Sequence, residues 1–536
     1  MPFFIPVYTS IPIIRKAARM DCWQPPEGIH PFNGTISVAL SMLGPEDYRC
    51  PAGTAMKARR LRPVDRQPWK RKPLEDFPLG PFMSVRDEAE GLGRDDHHGE
   101  RPLVHDGLRT WTARAAELYD RAFPGDGGSP LVPIETPWVY RTNLRAPDHR
   151  GAVRYEIKAW GRQMASPDGR YRELRLPVIR PGRQRTDAER AVAALVAAEG
   201  TPGPLPERVR VVQICLTDGQ VGEPLFEGGR DAARELFAEH GQQTLEDVVD
   251  RFVYRPGSAC VSCAYAALCP GLPRAPGLLG VDDRRHARRS WSPTNGRTYR
   301  ICPARDFIRR IKLPAEWGIE HSAAADRGRA VHDYLARRHA TPAPQCCTAD
   351  IPSDWADGTY PLPEDELTLG RRLLGHHSSI CPLRRARVGS LQVEPSLTFY
   401  DEDANVIVIT RPDLLYQDGG SWVWREVKTR TKRRTGRLLD ENPQLALAVL
   451  MIGGNLLGGS RERSRVELEL LYPDGADLEI IDPFTPSVMA AARAVVTEHV
   501  NPWHADTRAL PHPGDACATC EVARWCTART PAEGTA

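Results

Sequence analysis

One triplet of cysteines occurs twice in this chain, and that repeat constrains the fold more than any other feature. "PGSACVSCAYAALC" places Cys260, Cys263 and Cys269 in a C-x2-C-x5-C pattern, and "PGDACATCEVARWC" places Cys517, Cys520 and Cys526 in the same one. Three thiols leave a tetrahedral site one ligand short. A fourth cysteine lies far upstream of each triplet in a matching context. "YRCPAGTAMKARR" carries Cys50 and "YRICPARDFIRR" carries Cys302. Cys50 precedes Cys260 by 210 residues, and Cys302 precedes Cys517 by 215.

The interior follows the same rule. "RVRVVQICLTDG" (208–219) corresponds to "RVELELLYPDG" (465–475), and "PLFEGGRDAARELFAEH" corresponds to "PFTPSVMAAARAVVTEH". Matching segments in matching order imply a duplicated domain. The Pro/Gly-rich "PGLPRAPGLLGVDD" supplies the seam, so the expected domains are 1–283 and 284–536. Each would be closed at both ends by four cysteines. A lone distant ligand suits a 4Fe–4S cluster, and zinc is the alternative.

Composition narrows the class. The chain has 536 residues, 26% of them charged, and a net charge of +3. That is ordinary for a globular protein with a local basic track, not for a polybasic one. Thirteen cysteines in so long a chain, six of them in the triplets, favour metal ligation over a disulfide scaffold. The N-terminal stretch is apolar before it is basic, the reverse of a secretory signal. No apolar run is long enough to span a membrane. A cytoplasmic protein is the expectation.

The second copy contains "VITRPDLLYQDGGSWVWREVKTRT" (407–430). A strand runs into Asp413, Gly-Gly turns the chain, and a second strand carries Glu426 and Lys428. Alternation puts Glu426 and Lys428 on one face, and the hairpin brings Asp413 beside them. Converging carboxylates call for a cation, and a hard ion such as Mg²⁺ or Mn²⁺ takes oxygen ligands. The lysine can orient a water on that ion or neutralise charge on a phosphate. "DRGRAVHDYLARRHA" reads as a helix with His332, and "ENPQLALAVLMI" as a helix with Gln444 near its start. Between strand and helix, "KTRTKRRTGR" with Lys432, Arg433 and Arg434 is a natural seat for a phosphate backbone. Glu394 could support the carboxylate pair or be an ordinary strand residue.

Taken in order, these parts resemble the RecB-like branch of the PD-(D/E)XK nuclease superfamily. The likeness is greatest to its iron–sulfur members, such as the AddB nuclease domain and the CRISPR adaptation exonucleases. It covers roughly residues 290–530: the "SPTNGRTYRICP" opening, Gly328 to His332, Pro412-Asp413, Glu426 to Lys428, Gln444 and the cysteine triplet. The resemblance implies an α/β fold of two tandem restriction-endonuclease-like domains, each a mixed central sheet flanked by helices. It implies His332, Asp413, Glu426 and the Val427 carbonyl as ligands of Mg²⁺ or Mn²⁺, Lys428 as the residue serving the attacking water, and Gln444 as a DNA contact. The family usually places Tyr four residues after that Gln, where this chain has Ala448. It implies a cluster on Cys302, Cys517, Cys520 and Cys526, and the repeat carries the same expectation to Cys50, Cys260, Cys263 and Cys269.

In the first copy, "RYEIKAWGRQMASPDGRYRELRLPV" (154–178) corresponds to the catalytic hairpin. Glu156 is expected at the Asp413 position, Glu173 and Arg175 at the E-x-K pair, and His105 at the His332 position. Arginine cannot replace that lysine chemically, so this copy reads as inactive. The expected activity is metal-dependent exonuclease cleavage of single-stranded DNA ends, in repair or anti-phage defence. The contrasting reading is a non-catalytic DNA-binding scaffold subunit. No G-x-x-x-x-G-K-[ST] loop occurs, so any helicase motor would be a separate partner.

Overall fold

The computed structural model describes residues 26–30, 32, 34–45, 49–64, 70, 72–92, 102–124, 130–145, 152–341, 345–384, 388–433 and 436–528. Arg434 and the N-terminal stretch lie outside them.

Sixteen strands occur among the described residues. Eight lie in the first half: β1 (Thr35–Ala39), β2 (Val132–Pro133), β3 (Val139–Arg145), β4 (Ala152–Lys158), β5 (Arg162–Ala165), β6 (Tyr171–Val178), β7 (Arg208–Cys215) and β8 (Phe226–Gly228). Eight lie in the second: β9 (Arg289–Trp291), β10 (Val388–Val393), β11 (Leu397–Asp401), β12 (Val406–Thr410), β13 (Leu414–Asp418), β14 (Ser421–Thr429), β15 (Arg465–Tyr472) and β16 (Gly475–Ile481). The large sheets are ordered β2-β5-β6-β7-β8 and β10-β13-β14-β15-β16, and the small ones β1-β4-β3 and β9-β12-β11. Each large sheet has one parallel pair, β6 with β7 and β14 with β15, and antiparallel neighbours elsewhere. Position for position, strand order and direction are the same in the two halves.

A parallel pair needs a crossover, and in both halves it is an apolar helix. Asp187–Glu199 begins with a capping box, Thr186 to the Glu189 amide and Glu189 back to the Thr186 amide. Pro443–Gly453, "PQLALAVLMIG", has proline in its first turn and buries nearly every side chain, as a helix apolar all round must. It packs on Trp424, Val466 and Leu468 of the sheet and on the helix Pro486–Ala505. Ala448 is fully buried in that core.

The halves interlock. Leu108, Trp111 and Tyr119 of the helix Asp106–Ala122 share a core with Phe307, Ile308 and Trp525. Cys260, Ala266 and Leu272 pack on Tyr400 and Ile407. At the expected seam, Ala275, Leu278 and Leu279 enter the second core, and Asp401 accepts hydrogen bonds from the Gly277 and Leu279 amides. Among the described residues, no helix is long and apolar enough to cross a membrane.

Candidate active site and cysteine clusters

The β13–β14 hairpin turns through Gly419 and Gly420, at φ of 60° and 84°. Both residues sit in the left-handed region that glycine enters without strain. The tight turn pairs Leu414 with Arg425, so Asp413 stands beside Glu426 and Val427. Asp413 Oδ2 accepts the Val427 amide at 2.6 Å, and Asp413 Oδ1 lies 3.2 Å from His332 Nδ1. Lys428 Nζ is 3.2 Å from Glu426 Oε2 and 3.7 Å from Asp413 Oδ2. Glu426 Oε1 accepts the Trp424 indole N–H at 2.9 Å. His332 sits on the helix Ala323–His339. Two carboxylates, an imidazole and an ammonium thus converge. Just after β10, Glu394 donates its amide to the Asp413 carbonyl and holds its side chain near Arg411.

The electrostatics separate the two acids. Burial pushes Glu426 up to about 7, although Lys428 pulls it down. Burial would raise Asp413 as well, but Lys428, then His332 and the Val427 amide, lower it to about 2. Lys428 loses favour for its charge by burial and regains more from Glu426 and Asp413, so it is raised. His332, opposed by burial, is raised by Asp413. An oxygen-rich pair with one nitrogen donor fits a hard divalent cation, which would relieve the carboxylates of their mutual repulsion.

Gln444 opens the helix Pro443–Gly453 and is half-buried. Lys432 is exposed. Arg433 stacks over Tyr472 and pairs with Asp474 and Asp477, so its charge is partly answered within the protein.

The cysteines of each quartet meet across more than two hundred residues. Cys302, Cys517, Cys520 and Cys526 line one small apolar cavity. Cys50, Cys260, Cys263 and Cys269 lie close enough for their thiolates to repel one another electrostatically. Burial raises Cys260, Cys269 and Cys520, and raises Cys263 to about 11. A cation would be needed to keep such thiols ionised.

Three expectations for the first half are corrected. Leu174 and Leu176 of β6 pack with Val192 and Val196 of the Asp187–Glu199 helix, as Trp424 packs under the Gln444 helix. Leu174 and Leu176 therefore occupy the face that carries Trp424 and Glu426 in β14. Glu173 and Arg175 point to the opposite face, where Glu173 pairs with Arg175 and Arg210, and Arg175 donates to the Tyr119 hydroxyl. Their structural counterpart is the buried set of Arg425, Glu467 and Glu469. Glu156 belongs to β4 in the small sheet, ringed by Arg60, Arg141, Arg154 and Lys158. In the β5–β6 pairing Gln163 stands opposite Leu174, as Asp413 stands beside Glu426, and its side chain is taken up by backbone, accepting the Trp138 amide at 2.7 Å and donating to the Ala159 carbonyl at 3.2 Å. His105 caps the helix Asp106–Ala122 and reaches the Ala509 carbonyl at 2.9 Å. None of these residues forms a counterpart of the Asp413 site.

Sequence reasoning also missed a cluster. His339, Cys347, His377 and Cys381, all buried, bring one ligand atom each within 4.8 Å of one another. Cys347 and Cys381 carried no motif spacing. The available signal was His377-x3-Cys381 at the end of one helix, two ligand types on one face.

Residues 290–527 match the PD-(D/E)XK nuclease superfamily. The superfamily segment spans His332, Asp413, Glu426, Lys428, Gln444 and the second cysteine quartet, and its members are typically metal-dependent nucleases. No curated protein matches the chain. Solved chains do match, among them one described as "Crystal structure of SSO0001", at 13% identity over 45% of this chain and 87% of that one. Its TM-score of 0.24 is too low to support any argument.

Proposed function

We propose that this protein is a divalent-metal-dependent deoxyribonuclease, acting as an exonuclease on single-stranded DNA ends in repair or anti-phage defence. The observation that carries the reading is the meeting of Asp413 and Glu426 on one lysine ammonium, with His332 against Asp413, inside a PD-(D/E)XK segment. Asp413, Glu426, His332 and the Val427 carbonyl would hold Mg²⁺ or Mn²⁺, which when bound supplies a Lewis acid and lowers the pKa of a water. His332 and the Val427 amide orient Asp413 before substrate arrives. Lys428 stays charged, faces both carboxylates, and can neutralise the scissile phosphate as charge builds on it. Trp424 fixes one Glu426 oxygen, which leaves the other for the ion. Gln444 and Lys432, with Arg433 and Arg434, would guide the strand.

The first half is proposed as a worn copy of the same domain, bounded near residue 283. Support comes from the shared strand order of the halves and from Leu174 and Leu176, apolar at the positions that Glu426 and Lys428 hold in the second half. Both cysteine quartets are proposed to hold 4Fe–4S clusters. The lone distant cysteine of each quartet is what supports a cluster, with zinc the alternative. A helicase subunit is the proposed partner, since the chain has no phosphate loop of its own.

The test is cleavage of end-labelled single- and double-stranded DNA with Mg²⁺ or Mn²⁺, comparing wild type with Lys428→Ala. Shortening of single strands by wild type, lost in the variant with binding retained, is the expected result. Binding without cleavage in either metal would leave the chain a scaffold and overturn the nuclease reading.

A further inference from the structure

A second cluster of ligand-type side chains, His339, Cys347, His377 and Cys381, lies behind the strand that carries Glu426. Its four donors come from two helices and their exits. His339 ends the helix Ala323–His339, and Cys347 follows in the connecting segment. His377 lies in the last turn of the helix Glu364–Ile380, and Cys381 caps it. All four residues are buried, with exposures of 6%, 7%, 1% and 3% in chain order.

The donor geometry has the dimensions of a coordination sphere. His339 Nε2 lies 3.5 Å from Cys347 Sγ and 3.9 Å from Cys381 Sγ. Zn–S near 2.3 Å and Zn–N near 2.0–2.1 Å at tetrahedral angles place S and N roughly 3.6 Å apart. The imidazoles of His339 and His377 sit 5.5 Å apart, centre to centre, inclined at 58°. The second nitrogen of His377 supplies an independent sign. Its Nδ1 is 2.5 Å from Glu469 Oε1. Its Nε2 is buried and has no hydrogen-bond partner. A buried nitrogen left without a partner is costly. A carboxylate on one ring nitrogen with the other aimed at a shared centre is how a metal-bound histidine is held. The Cys347 amide donates to Cys381 Sγ at 3.4 Å, as amides do to metal-bound thiolates.

We propose that His339, Cys347, His377 and Cys381 form a closed Cys2His2 site for a tetrahedral zinc-class ion. Two thiolates and two neutral imidazoles cancel the charge of a divalent ion, which allows it to sit in this buried place. With no open position, its role is structural. It fastens the exit of the His332 helix, two turns beyond His332, to the helix Glu364–Ile380. Through Glu469, which also pairs with Arg425, it braces the strand residue next to Glu426. The centre is distinct from both cysteine quartets and from the hard-cation site at Asp413.

The test uses full-length protein and metal analysis. Wild type should retain about one zinc per chain through dialysis, and Cys302→Ser/Cys517→Ser should leave that zinc in place. Cys347→Ser/Cys381→Ser should lower it at least tenfold. Cobalt-loaded wild type should show the visible bands of tetrahedral thiolate-bound cobalt, absent from the double variant. His377→Cys, which keeps four ligands, should retain the metal and covers the case in which the double variant does not fold. Zinc unchanged in Cys347→Ser/Cys381→Ser, wild type that takes up neither zinc nor cobalt at this site, or a Cys347–Cys381 disulfide found by mass in its place would overturn the proposal.

Discussion

Glu426 and Asp413 touch the same ammonium, yet they titrate on opposite sides of their ordinary values. Asp413 is ionised at any working pH, whereas Glu426, held up at about 7 by burial, is half protonated near neutrality. A proton on Glu426 competes with a cation, so metal affinity should rise with pH through that value. Cleavage at limiting Mn²⁺ should rise several-fold between about pH 6 and pH 8 and flatten at saturating Mn²⁺. A pH profile indifferent to Mn²⁺ concentration would remove Glu426 from the ion. The same shift bears on stability. The folded value of Glu426 lies above its ordinary value of 4.5, so its contribution to the ion-free fold is full below 4.5 and lost as pH rises through about 7. Mn²⁺ should therefore raise the melting temperature more at about pH 8 than at about pH 5.5. Asp413→Ala and Glu426→Ala should each abolish cleavage, because each removes a ligand, while DNA binding persists and weakens with salt.

At the scale of elements, a strand has two faces and a shift of one residue exchanges them. "YRELRLPV" looks like a worn E-x-K strand until its leucines are seen under the central helix and its Glu and Arg on the other side. Glu173→Gln should accordingly leave metal-dependent cleavage within about threefold of wild type, a small change on the free-energy scale. The β13–β14 turn makes a different demand. Gly420 has φ of 84°, and Gly420→Ala should cost about 1–2 kcal/mol in urea unfolding, with loss of activity in proportion to the unfolded fraction. A variant as stable as wild type would show that the turn can relax, and with it the placement of Asp413.

The two halves of the chain have the same strand order and share cores. Phe307, Ile308 and Trp525 of the second half are covered by Leu108 and Trp111 of the first. Gly107 sits so close that a Cβ would be 2.8 Å from Ile308 and 3.0 Å from the Trp525 carbonyl. A fragment starting at residue 284 would expose this apolar surface next to its own cysteine quartet, and Ala275, Leu278 and Leu279 would be missing from its core. Such a fragment should be less soluble than the full chain and unfold at lower denaturant. Trp111→Ala in the intact protein should cost about 3–5 kcal/mol. A fragment with wild-type stability would mean that the first half serves DNA or a partner, not the fold of the second.

What was legible in the sequence was local or periodic. The Asp413 hairpin, the Glu426–Lys428 face, the Gln444 helix and the doubled cysteine pattern follow from alternation, turn glycines and spacing, each of which acts over a few residues. Tertiary structure decided what depends on residues far apart in the chain meeting in space. It set which face of β6 meets the Asp187–Glu199 helix, which removed Glu173 and Arg175 from any counterpart of the active site. It turned His105 into a helix cap bound to Ala509, and it drew His339, Cys347, His377 and Cys381 together from two helices with no motif to announce them. The physical reason is the same in each case. A side chain's chemistry is set by its surroundings, and for a buried group those surroundings come from other elements, whose docking is governed by the packing of whole faces rather than by any short run of residues.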